Sequence, residues 1–250
     1  MKKLLVILLF FPFLVFSQDL NDWFPKKNVK DSGTKIALII GNADYTVVNK
    51  LINPINDAKL IHRSLQELEF DKIVFKKDLK YNEMMKLFRE YYDLQSSYNF
   101  SFIYYAGHGV QDEQGNSYLL PVDFKADNKL EESAISVREL LLLFSKEENK
   151  NLFVFDACRE NYDTGMPQPD IKEPVNIKIG FSTSYGYVAY DHPELDNSVY
   201  TSVLAKALKN TDLTIYQILQ STWNQVYIKT HHKQSPAAHF GYLLDNDYLK

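Results

Sequence analysis

Residues 36–42 read IALIIGN, a continuous apolar run that ends at a glycine and an asparagine. A run of this length without polar alternation is typical of a β-strand that is buried on both faces of a sheet. Two later runs have the same character, FSFIYY at 100–105 and LFVF at 152–155. Between the strands, apolar residues recur at helical spacing, as they do over residues 60–68. The sequence therefore predicts an α/β fold with a mostly parallel central sheet and helices on both faces.

Capping and turn residues divide the rest of the chain into short elements. Asn56 or Asp57 is expected to cap the helix that follows the first strand. Gly115 and Asn116 separate two short segments that read as a hairpin. The pattern further predicts helices over about 82–95, 137–144, 198–208 and 213–228, and strands over about 72–76, 178–183 and 239–243.

The domain organisation follows from length and composition. A chain of 250 residues that is 45% hydrophobic and 24% charged suffices for one sizeable core, and we expect one domain over residues 35–250. Residues 18–34 carry no periodic pattern and are predicted to form an N-terminal leader. Within the domain, residues 160–174 are rich in glycine and proline and read as a linker between two parts of one fold.

The first residues have the character of a secretory signal peptide. Two lysines precede an apolar stretch at 4–16, and Ser17 is a small residue at which a signal peptidase would cut. We therefore expect a signal peptide over residues 1–17, export to the periplasm or outside the cell, and no stable membrane span after its removal. The alternative is an uncleaved anchor, although the run is shorter than the about 20 residues of a usual span. The net charge of −4 does not suggest a nucleic-acid partner.

Cys158 and His108 are the candidate catalytic residues. Cys158 is the chain's single cysteine, and each of the two residues follows a predicted buried strand. Parallel strands bind ligands at their carboxyl ends, so adjacent strands would bring the two side chains together. Cys158 would then be the nucleophile and His108 the general acid and base, while the N–H groups of Gly109 and Cys158 would stabilise an oxyanion. The alternatives are a buried structural thiol and a structural histidine in a glycine-rich turn.

Several motifs in order resemble those of the caspase-like peptidase family, in its metacaspase and paracaspase branch. They are ALIIGN at 37–42, NDA at 56–58, YYAGHG at 104–109, LPVD at 120–123 and FDACR at 155–159. The spacing of about 50 residues from the histidine to a cysteine followed by arginine is that of the caspase signature. The resemblance covers the chain from residue 35 onward. It implies the caspase-haemoglobinase fold, a dyad of Cys158 and His108, and peptide hydrolysis through a thioacyl-enzyme.

The same resemblance implies a substrate pocket. Asp57 and Asp156 match the acids that select Arg or Lys before the scissile bond in metacaspases and paracaspases. Two carboxylates suit one guanidinium, which pairs with a carboxylate through two hydrogen bonds. Val188 stands where some paracaspases carry a further acid, which leaves the preference between Arg and Lys open. Ser184 lies in a segment that resembles the one pairing with the substrate backbone. The alternatives are a helix cap for Asp57 and a strand-end hydrogen bond for Asp156.

We thus expect an exported cysteine endopeptidase that cleaves peptides or proteins after Arg or Lys. Two other functions stay open: an interaction module that keeps the fold with negligible turnover, and a hydrolase or transpeptidase that uses the same thioacyl chemistry on another acyl donor. The oligomeric state also stays open. Lys172 and Lys178, in or beside the predicted linker, are candidate sites of self-cleavage.

No cofactor is needed for this chemistry, and no metal site is expected. His231, His232 and His239 are not spaced to form one. Calcium activates part of the metacaspase branch, but the acids near His108, Asp112 and Glu113, do not form a clear oxygen-ligand loop. Calcium is therefore a possible activator without an assigned site.

Overall fold

The computed structural model describes residues 34–127, 129–146, 149–158, 160–161, 176–184, 194–240 and 247–249. The predicted signal peptide, the leader up to residue 33, the linker from residue 162 onward and Val188 lie outside the described residues. Among the described residues, no helix combines the length and the apolar character that a membrane crossing requires.

Strands and helices alternate along the first half of the described chain. The strands are β1 (Lys35–Gly41), β2 (Lys72–Lys77), β3 (Phe100–Ala106), β4 (Gly109–Gln111), β5 (Ser117–Leu119), β6 (Ile135–Ser136), β7 (Lys150–Asp156), β8 (Glu160–Asn161), β9 (Ile177–Phe181) and β10 (Ala237–Phe240). The helices are α1 (Pro54–Glu67), α2 (Tyr81–Gln95), α3 (Leu130–Ser133), α4 (Val137–Phe144), α5 (Val199–Leu208) and α6 (Ile215–Lys229).

The main sheet of the described residues has the order β10-β9-β7-β3-β1-β2. All neighbouring strands are parallel except β10, which runs antiparallel to β9. The buried apolar runs of the sequence supply the central strands, and every residue of β1 and β3 is buried. The predicted α/β fold with a mostly parallel sheet is confirmed.

Helices cover both faces of this sheet, each with its own apolar core. Side chains of α1, α5 and α6 pack on one face, against alternate strand residues such as Ile39 and Tyr104. Side chains of α2 and α4 pack on the other face, against residues such as Leu38 and Tyr105. This alternation follows from the two-residue period of a strand, which sends successive side chains to opposite faces.

A smaller sheet, with the order β6-β5-β4-β8 among the described residues, begins directly after His108. The predicted hairpin at Gly115 and Asn116 is its β4–β5 pair. Tyr45, Tyr118 and Leu120 form part of a third apolar cluster beside it. The first two residues of the predicted linker form β8, which pairs with β4 in parallel.

The predicted cap of the first helix needs correction. The helix after β1 begins at Pro54 with Asn53 in the capping position, so the prediction that Asn56 or Asp57 caps it is wrong. Proline favours the first position of a helix because its φ angle is already helical and its missing N–H has no partner to lose there.

Lys178 is poorly suited to self-cleavage. It lies within β9, paired to Leu152 of β7 on one side and to Phe240 of β10 on the other. A peptidase binds its substrate as a free extended segment, so cleavage after Lys178 would require β9 to leave the sheet. Lys172, the other candidate, lies outside the described residues.

Candidate active site

The candidate site lies where the strand order of the main sheet reverses. The chain passes from β1 to β2 at one edge and then returns to β3 on the other side of β1. At such a point the loops that follow neighbouring strands diverge and leave a crevice at their carboxyl ends. Here the loops that follow β1, β3 and β7 carry Tyr45, His108 and Cys158 respectively.

The register of β3 and β7 brings the predicted dyad to one place. Ala106 lies opposite Asp156 in the parallel ladder, and His108 and Cys158 each follow two residues later. The ladder continues beyond the strands, because the Gly107 N–H donates to the carbonyl of Asp156 at 3.2 Å. The two predicted catalytic residues therefore occupy matched positions just beyond the ends of adjacent strands.

Gly109 allows the turn that carries Cys158 to approach β4. A Cβ atom at Gly109 would lie 2.7 Å from the carbonyl oxygen of Cys158 and 3.0 Å from the Cβ of Ala157. Real side chains do not tolerate the first distance, so this contact requires glycine. The half-buried Cys158 thus lies in a turn that packs directly on the start of β4.

The pairing of β4 and β5 fixes the direction of the Gly109 N–H. Leu120 N–H donates to the carbonyl of His108 at 3.0 Å, and Gly109 lies opposite Leu119. Hydrogen-bonded and non-hydrogen-bonded pairs alternate in an antiparallel ladder, so Gly109 and Leu119 form a non-hydrogen-bonded pair. The Gly109 N–H therefore points away from β5, toward the side of β4 on which β8 lies.

The imidazole of His108 has one nitrogen engaged. Its Nε2 lies 2.7 Å from the backbone carbonyl oxygen of Asn49, in the loop after β1. A carbonyl oxygen only accepts hydrogen bonds, so Nε2 carries the proton in the neutral ring and Nδ1 keeps its lone pair. This tautomer leaves Nδ1 as the basic nitrogen.

Both predicted pocket acids are buried and meet at the start of α5. Oδ1 of Asp57 accepts hydrogen bonds from Asn197 Nδ2 and from the Ser198 N–H, both at 2.9 Å. Oδ2 of Asp156 accepts from the hydroxyl of Ser198 and, at 2.6 Å, from that of Thr201. Ser198 is the N-cap of α5, where helix geometry presents N–H groups and favours negative charge.

Asp57 therefore does not cap its own helix. It lies in the first turn of α1, and its carboxylate reaches across to α5, 141 residues further along the chain. Asp156, the last residue of β7, makes the strand-end hydrogen bonds that the sequence left as an alternative to a pocket role. The structure brings the two acids together around Ser198.

Two tyrosines border these acids. Burial raises the pKa of Tyr104 well above its ordinary value, and the charges of Asp156 and Asp57 raise it further. Burial, and then Asp156, also raises the pKa of Tyr200. Both phenols stay protonated, and the Tyr104 hydroxyl lies 2.5 Å from that of Thr201, which binds Asp156.

The segment after β9, which contains Ser184, is paired within the chain. The Ser184 N–H and hydroxyl both donate to the carbonyl of Ser235, at 2.7 and 2.8 Å. Nearby, Gln234 Nε2 donates to the Ser182 carbonyl at 2.8 Å. A substrate backbone that takes the Ser184 N–H would have to replace the bond to Ser235.

Comparison with known proteins decides the family. A family model described as "Caspase domain" matches residues 34–246, nearly all of the chain. The chain belongs to the caspase family of cysteine peptidases. The resemblance of its motifs to that family is thereby confirmed.

Three relatives are similar in sequence to this caspase-family chain. It is 33% identical over 187 residues to the human mucosa-associated lymphoid tissue lymphoma translocation protein 1, and to the same extent to its mouse homologue. It is 29% identical over 213 residues to a protein of Dictyostelium discoideum named paracaspase. The matches cover 72% to 79% of this chain, but only 22% of the two mammalian proteins and 50% of the Dictyostelium protein.

Asp112, one of the two acids near His108, has several hydrogen-bond partners in its own turn. The Asp112 carboxylate accepts hydrogen bonds from the N–H groups of Gln114 and Asn116, from the Asn116 amide and from the Tyr118 hydroxyl, so it stabilises its own turn. Glu113 is exposed. Within the described residues, no group of three or more His, Cys, Asp or Glu could hold a metal ion.

Sequence reasoning missed the residues that orient the predicted ones. Tyr45 and Asn49 contact His108, while Ser198 and Thr201 hold Asp156. The one signal for Ser198 in the sequence is that a residue type that favours helix caps stands at the start of the helix predicted over about 198–208. No periodicity marks the loop after β1, whose path depends on tertiary contacts.

Proposed function

We propose that this caspase-family protein is a cysteine endopeptidase that hydrolyses peptide bonds after Arg or Lys. The observation that carries the specificity is the meeting of two buried carboxylates, Asp57 and Asp156, around Ser198. A guanidinium or an ammonium group compensates buried negative charge, whereas an acidic side chain would meet repulsion.

The proposed reaction begins at the sulfur of Cys158. Nδ1 of His108 takes the thiol proton, and the thiolate forms a bond to the carbonyl carbon of the scissile amide. The carbonyl π electrons move to oxygen, and this oxyanion accepts hydrogen bonds from the N–H groups of Cys158 and Gly109. The orientation of the Gly109 N–H away from β5 supports its part in this step.

Two bond cleavages complete the cycle. The C–N bond breaks as His108 returns its proton to the amine, which leaves a thioester on Cys158. Water then attacks the thioester carbonyl while Nδ1 of His108 accepts its proton. The C–S bond breaks, the product acid is released, and the thiolate recovers the proton.

The test is hydrolysis of fluorogenic peptides that differ only in the residue before the scissile bond: Arg, its neutral isostere citrulline, Lys or Asp. We expect the reduced protein to cleave after Arg or Lys, and Cys158→Ala to abolish cleavage without unfolding. Asp156→Asn should lower kcat/KM for the Arg peptide about 100-fold, because a buried guanidinium loses half of its compensating charge. Asp123→Asn is the matched control, since that carboxylate binds the Tyr81 N–H, away from the acids.

Three other outcomes of these experiments would contradict the proposal or favour another function. Cleavage after Asp, or equal cleavage after Arg and citrulline, would refute the acidic pocket. A folded protein whose Cys158 is alkylated by iodoacetamide but which cleaves no peptide would favour the interaction module. Ligated products in mass spectra would favour a transpeptidase.

We also propose that the protein is exported. The support is the order of two lysines, an apolar run and Ser17 at the start of the sequence. Mass spectrometry of the protein recovered outside the cytoplasm should give an N-terminus at Gln18. Recovery of the full-length chain from the cytoplasm alone would contradict export.

A further inference from the structure

The loop that joins β1 to α1 crosses the end of β3. The Asn42 N–H donates to the carbonyl of Ala106 at 2.9 Å, so the loop starts beside the strand that carries His108. It is then held to the segment after β5, where the Thr46 N–H donates to the carbonyl of Val122 at 3.0 Å. Tyr45 and Asn49 of this loop both contact His108.

Tyr45 contacts His108 in two ways. Its hydroxyl oxygen accepts the backbone N–H of His108 at 2.8 Å. Its ring meets the imidazole edge to face, with centroids 4.6 Å apart and planes at 63°. Tyr45 is 1% exposed, so neither contact competes with water.

The Tyr45 hydroxyl belongs to a small buried network. It lies 3.1 Å from the hydroxyl of Tyr105 and 3.3 Å from the carbonyl of Leu120. The Tyr105 hydroxyl in turn lies 2.9 and 2.8 Å from the carbonyl oxygens of His108 and Leu120, which share its one proton. The backbone N–H and carbonyl of His108 are therefore both bound by buried tyrosine hydroxyls.

Gly107 fits this network sterically. A Cβ atom there would lie 2.6 Å from the hydroxyl oxygens of both Tyr45 and Tyr105. Its φ of 157° also lies in a region that side chains rarely adopt. Gly107 thus leaves room for the two hydroxyls beside the backbone of His108.

We propose that Tyr45 is a positioning residue for His108, which holds the imidazole with Nδ1 facing the Cys158 thiol. Tyr45 fixes the backbone N–H of His108 and one side of its ring, and Asn49 of the same loop fixes Nε2. These contacts restrict both torsions of the side chain and leave Nδ1 as the free basic atom. Burial raises the pKa of the Tyr45 phenol, so this hydroxyl stays protonated. The inference rests on the proposed function.

The test compares Tyr45→Phe with Tyr91→Phe. Tyr91 is also 1% exposed, and its hydroxyl lies 2.9 Å from that of Ser101, in the core beneath α2. Each variant loses one buried hydroxyl and leaves one partner unsatisfied, so the two should lose similar thermal stability. We expect Tyr45→Phe to lower kcat about tenfold with KM unchanged, because a misplaced base slows proton transfer. Tyr91→Phe should keep the wild-type kcat.

A second readout does not depend on peptides. The rate at which iodoacetamide alkylates Cys158 measures how much of the thiol is ionised, and an adjacent imidazolium favours the thiolate. At pH 6, His108→Ala should slow alkylation markedly, Tyr45→Phe should slow it partway toward that level, and Tyr91→Phe should not. Alkylation at pH 9.5 should be alike in all four proteins.

The outcomes separate this inference from the proposed function. A wild-type alkylation profile in Tyr45→Phe, or equal losses in both Phe variants, would overturn the role of Tyr45. The role of Tyr45 would also be overturned if the alkylation profile of the wild-type protein matched that of His108→Ala. If the wild-type protein cleaves no peptide while Tyr45→Phe still slows alkylation at pH 6, the proposed peptidase fails and the role of Tyr45 stands.

Discussion

Ser198 is the residue through which the two acids of the proposed pocket are connected. Its N–H binds Asp57, and its hydroxyl binds Asp156 and also accepts the N–H of Thr201 as the cap of α5. One residue thus binds both buried carboxylates, Asp57 through its backbone N–H and Asp156 through its side chain. Its removal would let Asp156 reorient and would leave an acceptor with one bond fewer.

Ser198→Ala should therefore change specificity as well as stability. We expect a stability loss of about 1 kcal/mol, as for other lost caps. We also expect kcat/KM for an Arg peptide to fall about tenfold, because the acids no longer match the guanidinium. The control is Ser136→Ala, since Ser136 caps α4 through the N–H of Glu139. It should cost similar stability in urea unfolding but leave kcat/KM unchanged, and an equal loss of kcat/KM in both variants would contradict this account.

At the scale of single residues, the sequence identifies the candidate site residues better than it identifies their hydrogen-bond partners. Cys158, His108, Asp57 and Asp156 could be named because each lies in a short motif at a strand end or near a helix start. Their hydrogen-bond partners could not be named from the sequence. The bond from Ser198 to Asp57, for example, spans 141 residues and depends on how α5 packs against α1. Local sequence carries no trace of such a contact.

At the scale of the elements, strands β7 and β9 share one acidic partner, away from the candidate site. Lys150 at the start of β7 and Lys178 in β9 both bind the carboxylate of Asp247, at 2.5 and 2.8 Å. The backbone carbonyl of Asp247 also accepts the N–H of Ile215 at the start of α6. Asp247 thus connects residues 247–249 to β7, to β9 and to the start of α6.

The stability contributed by Asp247 should depend on pH. Burial alone would raise the pKa of this carboxyl, but the hydrogen bonds and charges of Lys150 and Lys178 outweigh burial and lower it. A lowered folded pKa means that the contribution is full above the ordinary Asp value of about 3.9 and is lost as pH falls through the folded value. Asp247→Asn should therefore cost about 1 kcal/mol at pH 7, after discounting for partial exposure, and less at about pH 3, below the ordinary Asp value. Urea unfolding at both pH values checks this, and a loss that does not change with pH would contradict it.

Helices and strands were predicted where periodicity is strong. The helix over 137–144 matches α4, and the strand over 100–105 matches β3 to one residue. The short elements α3, β6 and β8 were missed, because two to four residues are too few for a period to emerge. The start of α1 was misplaced because Asp57 looks like a cap while its carboxylate serves a distant partner.

At the scale of the whole molecule, Lys35 joins the first strand to the last described residues. It is 8% exposed, and its ammonium donates to the carbonyls of Leu68, at the end of α1, and Leu249, at 2.7 and 3.0 Å. The ring of Phe70 lies 5.3 Å from the same nitrogen. A single buried cation thus compensates two carbonyls that are 181 residues apart (249 − 68).

Lys35→Met should destabilise the whole fold. We expect a loss of about 2 kcal/mol in the free energy of unfolding, because two buried carbonyls lose a charged donor. Lys72→Met, at an exposed position of β2, is the control and should stay within about 0.5 kcal/mol. Deletion of residues 247–250 should add less to Lys35→Met than it costs alone, since the two changes remove the same contact. Strict additivity in urea unfolding would contradict the link.

The pairing of β3 with β7 has a consequence for how activity can be lost. His108 and Cys158 stand two residues beyond opposed positions of one ladder, and both strands are central in the sheet. The spacing of these two proposed catalytic residues is thus set by the core strands β3 and β7. Heat or urea would accordingly spare the thiol's environment until the sheet itself melts, so that inactivation and unfolding become a single cooperative event.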